Sequence, residues 1–366
     1  MGKLIFTGIK KVGQLQIKRI LWIDATKVIG IWLVVLGHMN LPEYVVSPIF
    51  SFHMALFFFI SGFLEKSDKI TNTIIKGFRG LIIPYIFFYF ISYFWWFNVS
   101  LSRHQEIYGN ISIGSAIFKP LFGMLFGVGY CTKYSTMINV PLWFLVGLFA
   151  VKLIHHFILQ ICNNNIKKYL LLNIPIILVV YILKKNNIDL LFSLDSALLA
   201  FPFFGLGYFS QTTKKDFLNQ FIDYKNNTIL KISIIIVVFI LLLTLSKYNG
   251  RVDINEFKYG KNIFVFYSNG FLGTILIICL SSFYRKQNNL ATTISNGTII
   301  IVAFHIYLSE ILCKSIDMKG EGLIINPIIA GLLALITIVL MVFPIKFMEK
   351  HIPLLIGKKS KPFLSN

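Results

Sequence analysis

Acidic residues are scarce in this chain. Only 15 Asp and Glu stand against 35 Lys and Arg in 366 residues, and charged side chains of either sign make up 14%. Water-exposed surfaces are usually far richer in charge, so most of this chain does not face water. Also missing is any polar stretch long enough for a soluble domain; the longest connection between apolar runs lies near residues 100–140. Cysteine is too sparse for a framework. Cys131, Cys162, Cys279 and Cys313 are isolated and match no metal or redox spacing. Three of them lie in or beside apolar segments, where a thiol behaves as a small hydrophobe. Residues 1–19 are basic and weakly apolar, without the apolar core and small-residue cleavage site of a signal peptide. They are expected to form an interfacial basic arm.

What the chain does have is apolar length. It is 56% hydrophobic with a mean hydropathy of +0.74. A soluble domain cannot hide that much apolar surface, so the expected fold is an all-α polytopic membrane protein. Runs approaching the roughly 20 residues that a spanning helix needs occur near 20–39, 45–64, 81–99, 141–162, 169–184, 194–210, 229–246, 263–283, 298–316 and 323–345. They predict a single bundle of about ten helices over 20–345, followed by a basic tail over 346–366. The net charge of +20 is read as basic loops facing an anionic leaflet, not as a nucleic-acid site. With the N-terminus placed in the cytoplasm, the inside loops hold 22 Lys and Arg and the outside loops 11. That bias puts both termini inside and favours an even number of spans. The halves show no internal repeat, which weighs against an inverted-repeat transporter.

The first apolar run carries Asp24, Lys27 and His38. An α-helix turns 100° and rises 1.5 Å per residue, so Lys27 and His38 return to within about 20° of each other, roughly 16 Å apart along the axis. Asp24 falls within about 60° of both. Ionisable groups at membrane depth mark a substrate, ion or proton path. Imidazole is the side chain best suited to exchange a proton near neutral pH. Asp24 pairs with Lys27 at i,i+3 on this reading, and Lys27 either snorkels to the surface or meets phosphate groups of a cytosolic substrate.

Other residues stand out by type and depth. His53 is expected at a depth similar to His38, and Ser61-Gly62 near that of Lys27. Arg79, just before Pro84-Tyr85, is open to two readings, a phosphate ligand or a topogenic charge. Trp143 opens the fourth run, where tryptophan usually anchors at the interface. His155 and His156 read as interfacial. His305 is placed in the inner half of the ninth run, with Glu310 further out. Arg251, Asp253, Glu256 and Lys258 make the 247–262 loop polar enough to meet a sugar or simply be solvated.

Taken in order, Trp22-Ile-Asp24-Ala-Thr-Lys27…His38, Phe52-His53-Met54…Leu56-Phe57-Phe58…Ser61-Gly62, Arg79-Gly-Leu-Ile-Ile-Pro84-Tyr85 and Leu142-Trp143-Phe144-Leu145 resemble acyltransferase family 3. These are bacterial integral-membrane O-acyltransferases of surface glycans, and the resemblance covers nearly the whole chain. It implies transfer of an acyl group, most often acetyl, from cytosolic acyl-coenzyme A to a hydroxyl of an extracytoplasmic or lipid-linked glycan. The implied location is the bacterial inner membrane. No cofactor is implied beyond acyl-coenzyme A as co-substrate, no metal and no nucleic acid. The resemblance also implies a basic residue, ten intervening positions and a catalytic histidine, matched here by Lys27 and His38. Lys27 stands where the family often has arginine, and an ammonium lacks the bidentate fork of a guanidinium. On this reading His38 is general base or transient acyl carrier, supported by Lys27 and Asp24. Arg79, His53, Ser61, Trp143 and His305 bind substrate. The rival readings are a proton-coupled transporter of a glycan or lipid-linked sugar, and a scaffold without chemistry.

The charge count predicts that residues 65–80 and 346–366 are cytosolic and that 100–140 and 247–262 are external. Single cysteines introduced into a cysteine-free background and probed with an impermeant thiol reagent test this. In intact spheroplasts, 247–262 should be labelled and 65–80 protected; the reverse pattern inverts the topology.

Overall fold

The computed structural model describes residues 19–66, 68–100, 112–127, 138–188, 190–212, 228–315 and 324–358. The basic arm at 1–18 and the tail from 359 onward lie outside the described residues, as do Cys131 and much of the 100–140 connection. Among the described residues the fold is entirely helical, apart from one isolated β-bridge between Asp253 and Lys258.

The chain opens with α1 (Leu21–Gly37), α2 (Glu43–Phe50) and α3 (His53–Phe63). Next come α4 (Ile70–Gly77) and α5 (Ile83–Trp95), joined by a π-helical turn, and a short apolar α6 (Ile113–Phe126). The long helices α7 (Trp143–Ile161), α8 (Ile166–Lys185), α9 (Leu194–Thr212), α10 (Thr228–Asn249) and α11 (Ile263–Ser281) follow. The described chain closes with α12 (Asn289–Asn296), α13 (Thr298–Ser315), α14 (Pro327–Leu340) and α15 (Val342–His351).

Eight of these segments are long and apolar enough to cross a membrane: Glu43–Phe63, Ile70–Asn98, Val140–Ile161, Ile166–Lys185, Leu191–Thr212, Thr228–Asn249, Ile263–Ser281 and Pro327–His351. A ninth arises if α12 and α13, bent by 86° at Gly297, count as one broken span. Ten were expected. The difference is α1, whose 17 residues rise about 26 Å, just short of a hydrocarbon core of about 30 Å.

The bundle has two ends, here called proximal, where α1 begins, and distal, where α1 finishes. At the proximal end α12 packs against both α1 and α15, and the Gly357 turn sits against the backbone of Arg79 and Gly80. The distal end gathers the α1–α2 connection, the start of α7 and the loop between α10 and α11. There Asn40 accepts a backbone hydrogen bond from Ile325 at 2.7 Å.

The tightest packing joins α3 to α9. A Cβ on Gly62 would overlap the Phe204 carbonyl, and one on Gly207 would overlap the Phe59 carbonyl. Small residues permit this backbone-to-backbone approach, the main route to helix association where lipid removes the hydrophobic drive. Gly270 and Gly273 of α11 admit the rings of Phe203 and Phe52 in the same way. The centre of the fold is therefore α3, enclosed by α1, α9 and α11. By contrast α8 and α10 keep side chains such as Ile174, Leu178, Ile236 and Ile240 exposed, as surfaces for lipid acyl chains.

Overpacking of this kind costs about 1–3 kcal/mol or more. Gly207→Val should sharply reduce the monodisperse fraction extracted in detergent and lower its thermal midpoint. Gly331→Ala, whose new methyl would meet only the Trp32 ring at 3.6 Å, should leave both unchanged.

Candidate active site

Three histidines converge below the distal end. His38 caps the last turn of α1, its backbone N–H donating to the Val34 and Val35 carbonyls at 3.3 Å. Its Nδ1 lies 2.8 Å from the Val34 carbonyl. The α2–α3 span is interrupted at Ser51-Phe52, where Phe52 turns onto Gly273 and has φ −145°. The Ile49 carbonyl at this break accepts from His53 Nδ1 at 2.9 Å. On α13, His305 Nδ1 reaches the Ile301 and Val302 carbonyls at 2.9 and 3.0 Å. A carbonyl can only accept, so each Nδ1 carries the proton, and in the neutral ring each Nε2 is left as the basic nitrogen.

The rings form one chain of contacts. His38 meets His305 edge-on with centroids 5.0 Å apart, and Phe50 lies 6.0 Å from His38 and 4.9 Å from His53. His53 and His305 are buried, and His305 Nε2 has no hydrogen-bond partner among the described residues. His38 is the accessible member of the three. It and His53 line a cleft of about 710 Å³, counted to its open mouth. Trp143, Phe144, Phe57 and Phe50 bring aromatic rings to otherwise largely aliphatic walls, and Thr298 and Val302 close one side. Asp253, Ile254 and Asn255, from the loop between α10 and α11, form the distal rim.

Of the residues singled out in the sequence, His38, His53 and Trp143 line this cleft and His305 touches it through His38. His305 sits beside His38 and not in the inner half of the bundle. The 86° bend at Gly297 starts α13 within the bundle, with Thr298 already in the cleft wall, and so shifts every later residue toward the distal end. Ser61, Arg79 and Glu310 are not among the cleft's walls. His155, read as interfacial, is enclosed by the protein itself. It is buried, with Nδ1 2.7 Å from the Tyr169 hydroxyl and rings of Phe204 and Tyr208 around it. His156 is likewise buried.

Asp24 has a different partner from the one its spacing suggested. It is buried and pairs with Arg19, whose Nη2 donates to Oδ1 at 2.8 Å. Ser295 Oγ of α12 donates to the same oxygen at 2.6 Å, and Arg19 Nη2 reaches Asn296 at 3.0 Å. Arg19 lies just before α1, so its side chain folds back over the first turn, where i,i+3 reasoning does not look. Lys27 is half-buried and makes no ion pair or hydrogen bond among the described residues. It feels attraction from Asp24 and repulsion from Arg19 and Lys358.

A second cleft of about 790 Å³ opens at the proximal end, walled by Glu65, Lys66, Asp68, Thr73, Lys76, Gly80 and Lys152 among others. Lys152 pairs with Glu65, and Lys76 with Asp68. The hydrogen bond from Lys76, with others from Asn72 and the Lys69 N–H, holds the half-buried Asp68 carboxyl below the usual carboxylate range. Arg79 is exposed just outside this cleft.

The sequence reading did not mark Asn255, and it did not separate Asp253 from its charged neighbours. Their placement follows from a turn in which Asp253 and Lys258 exchange two backbone hydrogen bonds of 2.8 Å. The one local signal is the Asp-Ile-Asn order, in which Asp253 Oδ1 accepts from the Asn255 N–H at 3.0 Å, an Asx-turn.

The ion pair separates Arg19 from Lys27 experimentally. Arg19→Ala should destabilise the protein by roughly 1–3 kcal/mol, the cost of a buried carboxylate that has lost its main partner, reduced because Arg19 is partly exposed. Lys27→Ala should leave the thermal midpoint nearly unchanged, since Asp24 keeps Arg19 and Ser295. Thermal unfolding of the two purified variants in one detergent is the measurement.

A family model described as an acyltransferase domain, that of acyltransferase family 3, matches residues 20–346. Comparison with curated proteins and with solved structures gave no match.

Proposed function

The chain belongs to acyltransferase family 3 and is a multi-pass membrane acyltransferase; from that premise we propose that it moves an acyl group, most often acetyl, from cytosolic acyl-coenzyme A to a hydroxyl of an extracytoplasmic or lipid-linked glycan. The membrane is the bacterial inner membrane, with the proximal end cytosolic as the loop charges favour.

The observation that carries this reading is the state of His38. Its Nδ1 is committed to the Val34 carbonyl, and its ring is the accessible imidazole of the cleft. A neutral imidazole held this way offers Nε2 as general base. It takes the proton of the acceptor hydroxyl while that oxygen attacks the thioester carbonyl. The new C–O bond forms, the C–S bond breaks, and the departing thiolate receives the proton from imidazolium. His305 and His53 keep the surroundings of His38 fixed, and Trp143 supplies an aromatic face for a sugar ring.

Lys27, Arg79 and Lys358 form the cationic proximal side that suits the phosphates of coenzyme A. Lys27 lies about 16 Å along the helix axis from His38, so the acyl arm runs along α1 from phosphates to base. Asp24 supports this arrangement by neutralising Arg19.

General-base catalysis contributes about 10²- to 10⁴-fold. His38→Ala should therefore lower acylation of surface glycan by at least about 100-fold per unit of monodisperse protein. Mass spectrometry of the glycan, with and without the protein, reads the outcome as a shift of one acyl group. No shift on deleting the protein removes the glycan reading, and near-normal acylation by folded His38→Ala moves the base elsewhere.

A further inference from the structure

The distal rim of the cleft carries two groups that the mechanism above does not use. We propose that Asp253 and Asn255 are the acceptor-positioning residues, receiving hydrogen bonds from hydroxyls of a polyhydroxylated sugar so that one further hydroxyl meets His38. This rests on the acyl-transfer reading and adds to it which part of the protein selects the acceptor.

Three observations carry it. First, Asn255 is 4% exposed, lines the cleft, and its Oδ1 has no hydrogen-bond partner among the described residues. A buried amide oxygen without a donor is costly, and a bound hydroxyl removes that cost. Second, the other polar group of the rim is a carboxylate, also an acceptor of hydrogen bonds. The rim therefore asks for a ligand rich in donors. The aromatic rings of the walls ask for the apolar face of a ring. A sugar meets both demands. Third, the rim is preformed. Ser196 Oγ donates to the Ile254 carbonyl at 2.8 Å. Asn249 clamps the far side of the loop, donating to the Tyr259 carbonyl and accepting from the Asn262 N–H, both at 2.8 Å. Gly260 has φ +80°, and a Cβ there would overlap Asn249.

The charged groups around Asp253 are Arg251, Glu256 and Lys258 on its own loop. Glu43 of α2 pairs with Arg251 at 3.7 Å, Lys184 of α8 lies over Phe257, and His38 and His53 face it across the cleft. Burial, helped by Glu256, pushes the Asp253 carboxyl up to about 6. It is a carboxylate above that pH and neutral below, so its grip on hydroxyls is present at neutral pH and fades as pH falls through about 6.

The test uses the full-length protein in nanodiscs, radiolabelled acetyl-coenzyme A, and oligosaccharide released from the surface glycan of cells that lack the protein. Asp253→Asn keeps an oxygen for the loop's own N–H groups, whereas Asp253→Ala does not, so the two separate binding from loop shape. Losing a hydrogen bond to a charged group corresponds to about a 10- to 100-fold change in affinity. Asp253→Asn should raise the acceptor KM by that factor, leave the acetyl-coenzyme A KM and kcat unchanged, and abolish the rise in acceptor KM of the unsubstituted protein below pH 6. An unchanged acceptor KM in Asp253→Asn, with only Asp253→Ala impaired, reduces Asp253 to a loop residue and overturns the proposal alone. If the unsubstituted protein transfers no label, the acyl-transfer reading falls and this proposal falls with it.

Discussion

Where α3 crosses α9, no side chain lies between the two backbones. Gly62 meets the Phe204 carbonyl and Gly207 meets the Phe59 carbonyl. Within a bilayer, helices gain little from hiding apolar surface from one another, so close fit supplies most of their cohesion. This crossing fixes α3 in position and direction. Phe52, inserted over Gly273, then fixes where the α2–α3 span breaks. The break sets the placement of His53, and α1 packed on α3 through Gly30 carries His38 to the same cleft.

The three imidazoles share one device. Each Nδ1 is tied to a carbonyl three or four residues earlier in its own segment. For His38 and His53 that carbonyl is at a helix end or an interruption. The tie fixes tautomer and ring orientation together without a neighbouring carboxylate. A carboxylate beside the ring would favour imidazolium far more strongly than a neutral carbonyl does. Among the described residues the acid in the cleft's walls is Asp253, held in the distal rim by its own loop.

Much of the fold was legible because apolar length is a property of sequence alone. Each of the ten apolar runs overlaps a helix or helix pair, including the short α1. The histidine cleft was partly legible: eleven-residue spacing and the depth of His53 both follow from helical geometry. What escaped depends on chain geometry beyond a single helix. Arg19 reaches Asp24 by folding back across the extended Ile20. His305 changes depth because Gly297, with Ile345 filling the space of its missing side chain, allows an 86° bend. Asn255 is one of many asparagines in the sequence, and only the fold of the 250–262 loop turns it toward the cleft. The four glycines of the α3, α9 and α11 contacts look like any others until the partner helix is known.

The contact between Asp24 and Ser295 joins residues 271 positions apart. A ribosome adds about 5–20 residues per second, so α1 is made tens of seconds before α12 exists to meet it. During that interval the Asp24 carboxylate already has Arg19 within reach, the partner it keeps in the folded protein. The early pair acts as a placeholder: it lets a short first helix that carries a carboxylate persist in the bilayer until the last third of the chain arrives. Closure of the bundle is thus a late event in biosynthesis, and the histidine pair of α1 and α13 is assembled by the same final step that seals Asp24.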